Sequence, residues 1–246
     1  MRRLIAAVAC RLEGSRLYGK PLQNIDVAAG TSILGHIVAL LKSVPEISET
    51  VLGISEGPAN AAFVDFAAAN RLRHVVGDQR DVLSRLIACG RLASATDVFR
   101  ITSESPFCYF EPIAEAWEHH VARGNDVTVT GELPDGCHFE IYRLAALEAS
   151  HERGDARHRS EFCSLYIREH RSDFRVEVIP VPDRLRRNDL RLTVDYPEDL
   201  VVCRRVYTAL KEFAPRIPLA RIVDYLDAQP GLKVLLQRYV SSRKIW

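Results

Sequence analysis

The first half of the chain alternates short apolar runs with stretches of helical periodicity, and this alternation restricts the fold more than any other feature of the sequence. Leu4 to Cys10 reads as a buried strand, and Val51 to Ile54, His74 to Val76 and Val98 to Ile101 read as three more. Helices are expected over Ser32 to Lys42, Asn60 to Asn70, Asp81 to about Leu92 and Glu111 to Arg123. In the first of them Ile33, Leu34, Ile37, Val38 and Leu41 recur at helical spacing, and Thr31 or Ser32 can supply the cap. The pattern predicts an α/β fold, a mostly parallel sheet with helices on both faces, and such sheets bind ligands at the carboxyl ends of their strands.

The second half changes character. Val127 to Thr130, Cys137 to Arg143 and Phe174 to Ile179 read as strands, with helical stretches around Leu144 to Ser150 and Glu161 to His170. Arg191 to Val194 is expected to return as a core strand, followed by a helix over Pro197 to Phe213 and a helical tail in which Trp246 packs. A chain of 246 residues without repeats or a flexible linker suits one domain spanning 1–246. Within it, about 134–190 is expected to form a small α+β insertion that covers the site or builds a dimer contact.

A formal net charge of +1 gives no reason to expect a nucleic acid or an anionic membrane as partner. No apolar run approaches a transmembrane span. Arg2 and Arg3 before Leu4 to Cys10 imitate a signal peptide, but that run is too short, ends at Arg11 and lacks a small-residue cleavage site. Six scattered cysteines with no C-x-x-C pair fit a reduced cytoplasmic protein better than a zinc site or a disulfide framework.

Any phosphate-binding chemistry must therefore come from a local cluster. Directly after the first strand, Cys10 to Leu22 places Arg11, Arg16 and Lys20 in one short loop with Gly14 and Gly19. Glycines let backbone N–H groups approach a phosphate, arginine matches phosphate oxygens with parallel donors, and lysine adds a point charge. The loop reads either as a triphosphate cradle or as a solvated basic loop, and it lacks the spacing and ending of a Walker A loop.

The residues Cys10-Arg11-Leu12-Glu13-Gly14-Ser15-Arg16-Leu17-Tyr18-Gly19-Lys20-Pro21-Leu22 resemble the pattern A-R-x-G-S-x-R-L-P-G-K-x-L of the sugar-acid cytidylyltransferases. That group includes the enzymes that activate Kdo and sialic acids as CMP-sugars and, closest, the spore-coat polysaccharide cytidylyltransferase family. The resemblance continues in order over roughly residues 3 to 205. Ile33 to Ile37 resembles L-L-E-H-V, Gly77 to Arg85 resembles G-S-E-D-D-V-L-D-R, and Arg100 to Pro106 resembles R-I-T-G-D-C-P. Pro134-Asp135-Gly136 with Glu140 resembles P-D-G-x-x-x-E, and Leu192 to Leu200 resembles L-T-V-D-T-P-E-D-L. The chain departs from the family at Glu13 (a small residue), Tyr18 (proline), Glu104 (the metal-binding aspartate), Ser160 (arginine) and Phe162 (histidine).

The resemblance implies a nucleotide-diphospho-sugar transferase-like, Rossmann-like fold and a homodimeric, magnesium-dependent enzyme that moves CMP from CTP onto a small acidic or sugar-acid acceptor. Arg11, Gly14, Ser15, Arg16 and Lys20 would hold the triphosphate, with Arg11, Arg16 and Lys20 catalytic. Ser55, Asp78 and Arg80 lie where related enzymes contact the nucleoside. Glu104 and Asp195 each precede a proline by two residues, and two carboxylates with phosphate oxygens and waters suit magnesium. Alternatively Asp195 is the N-cap of the Pro197 helix and Glu104 a plain loop carboxylate. His138 and Glu140 alternate with apolar residues and are candidates for acceptor contacts, or else a solvated strand face. Arg157, His158 and Arg159, the arginines of Asp183 to Arg191, and His119 with His120 read more simply as surface or core. The altered acceptor segment leaves room for a phosphate or phosphonate acceptor, and Glu13 with Glu104 for a non-catalytic nucleotide-binding protein.

Overall fold

In the computed structural model, which describes residues 2–14, 16–160, 162–237 and 239, the first apolar run becomes β1 (Leu4–Cys10). Ser15 of the loop after β1, Glu161 at the expected helix start and Trp246 of the tail lie outside the described residues. A small hairpin of β2 (Asn24–Asp26) and β3 (Thr31–Ser32) precedes α1 (Ile33–Lys42), and the Ser32 hydroxyl accepts the Gly35 N–H as the helix cap. Then follow β4 (Ile47–Ser55), α2 (Ala61–Ala69), β5 (Arg73–Gly77), α3 (Val82–Leu92), β6 (Asp97–Arg100) and α4 (Ile113–Ala122). The second half supplies β7 (Val127–Thr130), β8 (Glu140–Arg143), α5 (Leu144–Arg153), α6 (Leu165–Glu169), β9 (Val176–Ile179), α7 (Pro197–Leu210), α8 (Leu219–Asp227) and α9 (Pro230–Gln237).

Among the described residues, seven strands form one sheet in the order β5-β4-β1-β6-β8-β7-β9, with β8 antiparallel to both neighbours and the other ladders parallel. β1 is central, which explains an apolar run without polar alternation: both of its faces are covered. Leu4, Ala6, Val8 and Cys10 enter the core shared with α1, α7 and α8, whereas Ile5 and Ala7 enter the core shared with α3 and α5. All six cysteines are buried free thiols. Among the described residues, no helix is long and apolar enough to cross a membrane.

Two expected strands differ in the structure. Residues 191–194 form no strand; Arg191 makes a single parallel bridge to Asp135, and the segment is held by loop contacts, with Leu192 N–H on the Asp135 carbonyl at 2.7 Å. Its alternating, buried residues satisfy the strand pattern, but its neighbours are loops. The strand expected from Cys137 begins only at Glu140, because Gly136 turns the chain with φ +90° and the Cys137 N–H closes a turn onto the Pro134 carbonyl at 3.1 Å. A Cβ on Gly136 would lie 2.6 Å from the Thr193 nitrogen, so the glycine is what lets this turn pack against residues 192–193.

Candidate active site

The carboxyl ends of β1, β6 and β7 open onto a cavity of about 720 Å³. Arg11, Gly14, Arg16, Lys20, Glu104, Asp195, His138 and Glu140 all line it, so eight of the residues singled out in the sequence meet in one place. Ser55, Asp78 and Arg80 do not line it. Ser55 ends β4, and the Asp78 carboxylate is used locally, accepting the N–H groups of Arg80 at 2.7 Å and Asp81 at 2.8 Å. Gln79 between them donates to Glu13 Oε2, which ties this stretch to the phosphate loop.

The loop after β1 owes its shape to its glycines. Gly19 sits at φ +62°, and a Cβ on Gly14 would come within 2.7 Å of the Leu17 carbonyl oxygen. Lys20 reaches across the cavity and donates to Asp195 Oδ1 at 2.6 Å, while Arg16 stands 3.7 Å from Oδ2. Arg191 also donates to Oδ2. Burial pushes the Asp195 carboxyl up, but Lys20 and Arg191 outweigh it and hold the group below its ordinary value.

Asp195 is not the helix cap. Tyr196 is the N-cap of α7, and the buried Asp199 carboxylate accepts the backbone N–H groups of both Asp195 and Tyr196 at 2.9 Å. Arg191, which ends the charged loop and begins the segment expected as a core strand, is buried beneath the cavity, where it joins Asp135, Asp195 and Asp199. Its place between Leu190 and Leu192 was the available sign of burial.

Glu104 leaves the loop after β6. Its Oε2 accepts the Ser103 hydroxyl at 3.0 Å, and its carbonyl accepts the Val194 N–H at 3.0 Å, which brings the Glu104 and Asp195 loops together. This loop is supported from below by His36 of α1, whose ring packs edge-on to Phe107 and Tyr207 and bonds the Pro106 carbonyl. Glu104 and Asp195 provide hard carboxylate oxygens on one cavity. Among the described residues, no group of three or more His, Cys, Asp or Glu is arranged to hold a metal. Two carboxylates completed by phosphate and water oxygens are the donor set magnesium takes, since it resists full dehydration into an all-protein cage.

The opposite wall follows from the one reversed strand. β8 runs antiparallel, so its first residue, Glu140, lies at the carboxyl edge of the sheet, paired in register with Arg100 on β6 and Val129 on β7. Glu140 forms an ion pair with Arg100. Two residues earlier, the His138 ring contacts the Thr130 hydroxyl at 3.2 Å, and burial lowers its pKa, which keeps it neutral near pH 7. Phe162, Ser164 and Arg168 complete this side. By contrast, His158 is buried against Glu169 at 2.9 Å, Arg159 bonds the His151 and Gly154 carbonyls, and His120 is buried between Asp97 and Thr128. These groups support the frame and do not line the cavity.

The chain is similar to known proteins over nearly its whole length. The chain is 23% identical over 240 residues to the spore coat polysaccharide biosynthesis protein SpsF of Bacillus subtilis, covering 94% of this chain and 96% of that protein. It is 23% identical over 233 residues to an uncharacterised protein of Methanocaldococcus jannaschii, covering 94% and 93% respectively. A cytidylyltransferase from Leptospira borgpetersenii superposes over 100% of both chains with a TM-score of 0.84 at 16% identity. A CMP-2-keto-3-deoxy-manno-octonic acid synthetase complexed with CTP superposes over 84% of this chain and 99% of its own, with a TM-score of 0.64 at 12% identity. These superpositions establish a nucleotide-diphospho-sugar transferase-like fold. The sequence profile of the cytidylyltransferases matches residues 5–222, and the chain belongs to the cytidylyltransferase family.

Proposed function

We propose that this protein transfers CMP from CTP to a hydroxyl of a small acidic or sugar-acid acceptor, releasing pyrophosphate. The observation that carries this reading is the single cavity in which the loop cations Arg11, Arg16 and Lys20 share the walls with Glu104, Asp195 and the Arg100, His138 and Glu140 side. An acceptor oxygen attacks the α-phosphorus, the bond to the bridging oxygen breaks, and pyrophosphate departs with its electron pair. Such a step needs positioning and charge neutralisation more than covalent catalysis. Lys20 exchanges the Asp195 carboxylate for phosphate oxygens when CTP binds, and Arg11 and Arg16 offset the charge gathering on the leaving group. Arg191 stays beneath and keeps Asp195 ionised. The nucleoside extends toward the ends of β4 and β5, where Ser55, Asp78 and Arg80 stand. His138, neutral and able to donate and accept, and Glu140 orient the acceptor.

Glu104 and Asp195 would hold a magnesium ion, which supplies charge neutralisation at the phosphates and lowers the pKa of the acceptor hydroxyl. A second reading places a phosphate or phosphonate on the acceptor. It is favoured by Arg100 and Arg168, which both line that half of the cavity. One assay separates the readings: incubation of the protein with CTP, magnesium and a panel of keto-sugar acids, phosphates and phosphonates, with products weighed by mass spectrometry. A CMP adduct of a sugar acid supports the first reading, and an adduct only of phosphate or phosphonate acceptors the second. Nucleotide binding without turnover on any acceptor would replace both with a non-catalytic role.

A further inference from the structure

Arg16 is half-exposed, and its ion pair with Asp195 is long, at 3.7 Å. A long side chain left so loosely held loses rotamer freedom when it meets a phosphate, and that loss weakens binding. Two aromatic rings counter it. The Arg16 guanidinium lies 4.9 Å from the centre of the Tyr196 ring, and that ring stacks on Tyr239 with centroids 3.7 Å apart at 14°. Tyr239 lies just beyond α9, which is anchored by the fully buried Leu236, and its own N–H bonds the Leu236 carbonyl at 2.9 Å. Stacking engages the face of a guanidinium and leaves its in-plane N–H donors available for phosphate oxygens. Tyr196 stands where the L-T-V-D-T-P-E-D-L pattern has threonine, and Tyr239 lies beyond residue 222, where the family match ends.

We propose that Tyr196 and Tyr239 are positioning residues that hold Arg16 ready for the triphosphate and so couple the C-terminal segment to nucleotide affinity. This rests on the reading of the loop as the triphosphate site. The test is calorimetric binding of CTP with magnesium to the full chain and its variants. Tyr239→Ala removes the ring that backs Tyr196 and should weaken CTP binding by up to about two- to fivefold, the size of the exposed cation–π contact Tyr196 makes with Arg16, with the thermal midpoint nearly unchanged. Tyr239→Phe should restore wild-type affinity. Tyr239→Leu, which keeps apolar packing, should show the same loss as alanine. In an Arg16→Ala background, Tyr239→Ala should have no further effect, because the ring acts through the arginine. Unchanged affinity in Tyr239→Ala and Tyr239→Leu, or an equal loss added on top of Arg16→Ala, would overturn the proposal. If CTP binds and Lys20→Ala weakens it while the Tyr239 variants do not, the positioning role fails alone. If the wild-type protein binds no CTP, the triphosphate reading fails and takes this role with it.

Discussion

Asp195 is a carboxylate contested by cations: Lys20 holds one oxygen and Arg191 the other. The lysine is the one that can leave for a phosphate, because Arg191 is also tied to Asp135 and Asp199. Lys20→Ala should therefore lower kcat by roughly 10² while circular dichroism stays native, the scale of losing a charge aimed at a transferring group. Pyrophosphate release at saturating CTP measures it, and near-wild-type turnover would remove Lys20 from the phosphate site. Glu104 is the second test at this scale. If it is a magnesium ligand, Glu104→Asp keeps measurable activity and Glu104→Gln loses nearly all of it, read as activity against magnesium concentration. Coincident curves for Glu104→Gln and wild type would leave Asp195 as the protein's sole carboxylate at the ion. Arg16, Lys20, Glu104 and Asp195 could be read from the sequence because each is a polar residue in a loop between apolar segments. Arg191 could be read only in part: its place between Leu190 and Leu192 marks it for burial, but its pairing with Asp135 and Asp199 depends on segments that only the fold brings together.

At the start of α7, Asp199 takes the helix-entry role that the sequence offered as the alternative for Asp195. It accepts two backbone N–H groups and the Arg191 guanidinium while fully buried, so it fixes the entry of the helix and the height of Asp195 together. Asp199→Ala should destabilise the protein by about 3 kcal/mol, since it strands two backbone donors and takes one of three carboxylates from a buried arginine. Urea unfolding checks this, and a loss under about 0.5 kcal/mol, the level of an ordinary surface substitution, would contradict it. Helices α1 and α3 were legible because their apolar stripes and their caps, Ser32 and Asp81, are local signals. The reversal of β8 was not, because nothing within Glu140 to Arg143 states which strands will flank it. Yet that reversal alone carries Glu140 to the edge where the other strands end.

Across the whole molecule, the two core layers pin the site loops from below, and His36 shows how. Burial lowers its pKa to about 4, against an ordinary 6.5. Between those values the unfolded chain takes up a proton that the folded chain refuses, so stability should fall as pH drops from about 6.5 to about 4, by as much as about 3 kcal/mol. Asp195, held below its ordinary value of 3.8, adds its own loss only at lower pH, as the pH falls through its folded value. Urea midpoints at pH 7 and pH 4.5 should differ in wild type, and the gap should narrow in His36→Phe, with the remainder left to other buried histidines such as His138; an unchanged gap would place the acid sensitivity elsewhere. The alternation of strands and helices made the layered sheet readable in advance, whereas the joining of the Glu104 and Asp195 loops depends on one backbone bond between distant segments, from Val194 to Glu104. The most direct test of nucleotidyl transfer at this cavity is a crystal structure with CTP and magnesium bound. The triphosphate should lie between Arg16, Lys20 and the Glu104 and Asp195 carboxylates, with Lys20 moved from Asp195 to a phosphate oxygen. CTP bound elsewhere, or the Lys20 to Asp195 pair intact beside it, would contradict the account.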